Sequence, residues 1–216
     1  MANRIRNLGV AVLFLSSVGL LIWGYWPQSL TSRLTIVEVD NSSVSGQNLR
    51  NGNLSLFLEW SQTVNVGDGG IVRLSIAMDP ADDVWQNEHV NYVVITRMDL
   101  PGTAALPPGM AEQALAPGKN TSFYWSYEAG EEIHYLGEVW VYLRIIGTDG
   151  NPASERAIAV LPFETITKAF LGLKASHIRA AGVIGLFLCP LLGFHILELY
   201  SRWVWVRVRE LSGKNE

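Results

Sequence analysis

Cysteine is nearly absent from this chain. Cys189 is the only one in 216 residues, so no disulfide can form within it and its polar part must be held by packing. Charge is scarce as well: Asp, Glu, Lys and Arg together make 17% of the residues. The little there is leans acidic. Between Pro27 and Ile178 stand 9 Lys or Arg and 17 Asp or Glu, a balance of −8. Nucleic acid calls for a basic footprint, so no nucleic-acid partner is expected. Catalytic signatures are missing too. The chain has neither a Gly-x-Ser-x-Gly elbow nor a phosphate-binding loop. His89 and His134 have no partner at ligand spacing. No catalytic residue, metal or cofactor is therefore expected. A site formed only in space, for instance around His134 and Glu131, is the route left to an enzyme or a metallochaperone.

Two apolar runs stand out against these absences. Leu8–Trp26 and Ala180–Tyr200 are each about as long as the 17–25 residues with which a helix crosses a bilayer. The first follows Arg4 and Arg6 and ends on Trp23, Tyr25 and Trp26, rings that prefer the headgroup zone. Pro27 then stops the helix. A cleaved signal peptide is the rival reading, but no small-x-small site follows the run. The second run ends on Tyr200, Trp203 and Trp205, with Arg202, Arg207, Arg209 and Lys214 beyond. Basic residues outnumber those facing them at both spans, which predicts both termini in the cytoplasm and the middle outside. The expected segments are a cytoplasmic 1–7, a span 8–26, an outer domain 27–161, a juxtamembrane 162–179, a span 180–200 and a basic tail 201–216.

The second run carries polar and small residues of interest. Pro190 predicts a kink, and Gly182, Gly185 and Gly193 leave room for another helix. His195 and Glu198 are three apart, hence on one helix face. Ionisable groups in lipid raise a functional question, and the readings are snorkelling to the interface, contact with another membrane subunit, or proton transfer. Cys189 is expected to be a small apolar filler. Ahead of this run, Phe163, Ile166, Phe170 and Leu173 recur at helical spacing. They predict a short amphipathic helix, lying on the membrane or packed under the domain.

Between the runs the period changes to two. Leu54, Leu56, Leu58 and Trp60 alternate with polar neighbours. Val72, Leu74, Ile76 and Met78 do the same, as do Phe123, Trp125 and Tyr127, and Val139, Val141, Leu143 and Ile145. Alternation predicts strands with one buried face. With Leu34–Asp40, His89–Met98 and Glu155–Leu161 they make seven strands in about 130 residues, an all-β sandwich between two transmembrane helices. Asp99–Asn120 breaks the rhythm as a 22-residue connection with four prolines. It is read as a partner-contact loop or an inconsequential insertion, with one or two helical turns at Met110–Leu115. Asp79, Asp82 and Asp83 form a turn without the calcium-loop pattern. Asn41, Asn53 and Asn120 head Asn-x-Ser/Thr sequons expected to carry no sugar.

Thr63-Val-Asn-Val-Gly-Asp with Ile71-Val-Arg-Leu-Ser-Ile, and Ser122-Phe-Tyr-Trp-Ser followed by Gly137-Glu-Val-Trp-Val-Tyr-Leu, resemble bacterial immunoglobulin-like or fibronectin-III-like domains. The resemblance covers Leu34–Leu161 and lacks the cysteine pair of antibody-type domains. It implies a binding or spacer module and carries no site residues across. The expected function is a non-enzymatic accessory subunit of a larger complex in a bacterial plasma membrane, with the lipid bilayer and other membrane subunits as partners. The alternatives are an envelope-polysaccharide or surface-assembly factor, and an extracytoplasmic enzyme or metallochaperone.

Overall fold

The structure, a computed structural model, describes residues 2–39, 52–79, 85, 90–131, 133–147 and 152–192. It divides into two compact units. One is formed by Gln28–Ala169, the other by the segments on either side of it.

Among its described residues the first unit has ten strands: β1 (Leu30–Val39), β2 (Gly52–Ser61), β3 (Thr63–Asn65), β4 (Gly69–Met78), β5 (Val90–Asp99), β6 (Ala105–Leu106), β7 (Met110–Leu115), β8 (Asn120–Glu128), β9 (His134–Gly147) and β10 (Pro152–Lys168). They form two five-stranded sheets, in the orders β1-β2-β4-β8-β6 and β3-β10-β9-β5-β7. The pairings are antiparallel except β3 with β10, which run parallel. Period-two alternation explains the layering. Leu54, Leu56, Leu58 and Trp60 point inward on β2 while Asn53 and Phe57 point out. Facing them from the other sheet, Val139, Val141 and Leu143 of β9 are fully buried. Each such side chain is worth roughly 1.5–3 kcal/mol when removed from water, so this double layer is the main source of stability.

Two local devices join the sheets. Gln62 sits where the chain leaves one sheet for the other. Its N–H bonds Ser29 O at 2.8 Å, and its carbonyl accepts from Ile166 N–H at 2.8 Å. Beside it, the Tyr127 hydroxyl donates to Thr165 Oγ1 at 2.9 Å, and Thr165 donates to Ser61 O at 2.9 Å. Both side chains are buried, where an unpaired polar group would be costly. At the turn between β8 and β9, Gly130 N–H bonds the Tyr135 hydroxyl at 2.9 Å. A tyrosine closing a corner in this way recurs in Greek-key sandwiches.

Several expectations are corrected here. Among the described residues ten strands replace seven, because β3, β6 and β7 are too short or too mixed to show a period. Met110–Leu115 is a strand rather than helical turns. Six residues cannot sustain a helix alone, and these find the open edge of β5. The helix expected within 162–179 is absent over its first part, since β10 runs to Lys168. Leu161, Phe163, Thr165 and Thr167 are buried there while Pro162, Glu164 and Lys168 are exposed, and the run Thr165, Ile166, Thr167 is β-branched. The strand-rich domain therefore extends past Leu161.

The described residues of the second unit form the helices α1 (Ala2–Gly24) and α2, whose described part is Ala175–Leu192. Ala175–Leu192 is long and apolar enough to cross a bilayer by length and composition, with a mean hydropathy of 1.6. The apolar part of α1, Leu8–Gly24, is shorter. α2 begins at Ala175 instead of the expected Ala180.

Candidate functional site: a helix pair with a small-residue seam

The buried positions of α2 are Ala175, Ile178, Gly182, Gly185 and Cys189, a repeating three-four spacing. On α1 the buried positions are Ser17 and Gly24, with Val10, Leu13 and Leu20 half-buried at the same spacing. Apolar or small residues every 3.5 positions keep one seam turned to a partner helix. A side chain added at Gly182 would meet Leu21 Cγ at 2.7 Å and Ser17 O at 3.1 Å. One added at Gly185 would strike the Ser17 hydroxyl. One added at Gly24 would meet Arg179 Cγ at 2.8 Å. Contacts move down α1 as they move up α2, so the helices are antiparallel. Ser17 donates back to Leu13 O at 2.7 Å, leaving its hydroxyl satisfied inside the seam.

The partner that Gly182 and Gly185 meet is the chain's own first helix. Gly193, His195, Glu198, Tyr200, Trp203 and Trp205 lie outside the described residues, as do Asp82, Asp83, His89 and Asn41. Trp23 packs its ring on Phe170 with centroids 5.1 Å apart. Tyr25 and Trp26 are exposed, and the Arg179 guanidinium lies 5.0 Å over the Tyr25 ring. Its Nε donates to Gly24 O at 2.7 Å, capping the end of α1. Cys189 is buried on the seam side. Sequence reasoning missed Ser17, Gly24 and Arg179. The signal that would have found the first two is the three-four spacing shared by both helices.

The sandwich has a cleft of about 650 Å³ where its sheets part. Arg33 of β1, Trp60 of β2, Asp99 of β5, Glu138 of β9 and Glu164 of β10 are among its walls. Trp60 Nε1 donates to Glu164 O at 2.8 Å. His134 Nδ1 meets Glu164 Oε1 at 3.0 Å, so the histidine is drawn to Glu164 and not into a grouping with Glu131. Asp99 and Glu138 face each other across β5 and β9, and Arg97 Nη2 bonds Asp99 at 3.2 Å. Among the described residues no three His, Cys, Asp or Glu side chains are grouped to hold a metal. Burial pushes the Tyr127 phenol above its ordinary range, opposed in part by the Thr165 hydrogen bond. Burial alone raises Tyr92. Arg144 is raised chiefly by its hydrogen bond to Glu155.

These elements define the class: a two-sheet β-sandwich joined in sequence to an apolar helix pair. No protein family's sequence profile matches the chain, and no curated protein matches it. Solved structures similar to it include the complex between zinc 2-glycoprotein and prolactin-inducible protein from human seminal plasma. There the identity is 12% and the TM-score 0.34, over 54% of this chain and 93% of that one. A conjugative transposon lipoprotein from Bacteroides eggerthii gives 13% and 0.28, over 52% and 93%. A β-glucosidase from Listeria innocua gives 13% and 0.27, over 68% of this chain but 17% of that one. At these TM-scores the fold is described by the chain's own strand order.

Proposed function

We propose that this chain is a non-enzymatic accessory subunit of a membrane complex, anchored in a bacterial plasma membrane by two helices. Both termini are cytoplasmic, and an immunoglobulin-like domain works outside as an interaction module. The observation that carries the reading is the polarity of the helix pair. Its seam is lined mostly by small residues, Ser17, Gly24, Gly182, Gly185 and Cys189, with Ile178 the one large side chain sealed there, while Phe14, Leu15, Ile184, Phe187 and Leu191 are turned outward and exposed. Small residues inside and large apolar ones outside is the sorting expected in lipid, where association rests on close packing and not on water. The immunoglobulin-like assignment is supported by strand order. β2-β4-β8-β6 against β7-β5-β9-β10 follows the two-sheet Greek key of those domains, and Tyr135 supplies the corner.

Flotation with membranes after alkaline extraction, together with cross-linking in mild detergent, tests the reading. The expected result is a chain released only by detergent and a partner recovered in fixed ratio. A chain that leaves the membrane without detergent, or that is isolated repeatedly as a lone monomer, overturns it.

A further inference from the structure

The turn between β10 and α2 carries the wrong residue for its backbone and for water. Leu171 takes φ 53° and Gly172 φ 74°. Leu173 N–H bonds Phe170 O at 3.0 Å, closing a two-residue turn. Positive φ at both central positions is the type I′ geometry, which favours Asn or Asp followed by Gly. Leucine is disfavoured there because its Cβ crowds the following carbonyl. Its side chain is also 85% exposed, more than any other large apolar side chain among the described residues. Backbone and solvent therefore both select against leucine, yet leucine is present.

The residues that follow repeat the anomaly in charge. Lys174 stands at the start of α2, and His177 and Arg179 fall in its first turn and a half. Cations oppose the helix dipole at this end. No Asp or Glu occurs from residue 170 to 192 to offset them. The group is fixed to the aromatic end of α1: Phe170 lies on Trp23, and Arg179 is held by Gly24 O and the Tyr25 ring. An exposed apolar tip, the held Arg179 with Lys174 close by in sequence, and a collar of Trp and Tyr have one common complement. It is the headgroup zone of an anionic bilayer, where acyl chains take the tip and phosphates take the cations.

We infer that Phe170–Leu173 is a wedge that enters the headgroup region, and that Lys174, His177 and Arg179 hold the phosphates of anionic phospholipids beside it. This rests on the membrane anchoring proposed above. The test uses the full chain in nanodiscs of phosphatidylcholine, with or without one quarter phosphatidylglycerol. A polarity-sensitive dye is attached through Leu171→Cys in a Cys189→Ser background. The dye is expected to be shielded from aqueous iodide and quenched by shallow lipid spin labels. Enrichment of labelled phosphatidylglycerol around the chain should fall roughly fivefold for each cation lost in Lys174→Gln and Arg179→Gln. Leu171→Asn suits the turn but removes the apolar tip. It should melt at or above the parent in detergent and still lose lipid enrichment. A bilayer-integrated chain whose dye iodide reaches freely, and which takes both lipids equally, overturns the wedge while leaving the anchoring intact. Release of phosphatidylglycerol by inorganic phosphate would make the ligand a free anion and also overturns it. A chain that does not float with vesicles at all overturns the anchoring and the wedge together.

Discussion

The sandwich and the helix pair bury opposite kinds of residue. In the sandwich, Leu54, Leu56, Leu74, Ile76 and Leu143 are sealed inside, and Glu59, Arg73 and Ser75 lie on the outer faces. In the helix pair the sealed positions are Ser17, Gly24, Ala175, Gly182, Gly185 and Cys189, with Ile178 the one large residue among them, and the outer ones include Val12, Phe14, Phe187 and Leu191. The first pattern is what the hydrophobic effect produces in water, where large apolar groups are driven together. The second gains less from that effect, since most of its large groups stay outside and Ile178 alone among them is sealed. It gains from backbone approach at small residues. Apolar content alone does not distinguish the two units. The size of the residue on the inward side does.

Substitutions can break this contrast. Leu74→Ala should have the largest effect, a loss of about 2–5 kcal/mol from transfer and cavity terms. Its check is denaturant unfolding of the detergent-solubilised chain. Gly185→Leu comes next, with overpacking costing about 1–3 kcal/mol. That cost should fall on the helix pair. Spin labels on Leu15 and Phe187 should report a broadened distance while the melting of the sandwich stays put. If Gly185→Leu lowers sandwich melting as Leu74→Ala does, the two units are not independent and the contrast fails.

Tyr127→Phe should cost about 1 kcal/mol by removing the bond to Thr165, and it should also change the alkaline limb. The folded phenol is raised above its unfolded value near 10. Its stabilisation is therefore complete below about pH 10 and is lost as pH rises through the folded value. In the variant the decline of stability above pH 10 should be shallower, read as unfolding midpoints against pH. Arg144→Gln should do least. Its bonds to Glu112 at 3.0 Å and Glu155 at 2.8 Å join partly exposed side chains on the outer face. Surface pairs of this kind contribute little, so its midpoint should match the parent within replicate scatter.

The alternating segments were legible because their period is local. β2, β4, β8 and β9 each show it in their own residues. β7 was not legible: Ala, Glu, Gln and Leu favour helix, and only the neighbouring edge of β5 makes a strand of them. The end of β10 misled for another reason. Phe163 and Ile166 satisfy a helical spacing, but the buried set Phe163, Thr165 and Thr167 satisfies an alternating one, and threonine does not announce itself as core. Of the helix pair, Gly182 and Gly185 were visible as small residues, but their partners were not, since nothing local ties Ser17 to residues 165 or more positions later. The cleft was equally hidden, because Arg33 and Glu164, far apart in sequence, come to line it together only in the folded chain.

Gln62 has a further consequence. Leu30, where the sandwich begins, is paired with Ser61, and Ile166, near its end, bonds Gln62. Inlet and outlet therefore adjoin at one pole, which makes the domain a cassette. Residues 28–169 can be lifted out and replaced by a short connector without rethreading either helix. Any other module whose ends lie side by side would fit the same slot.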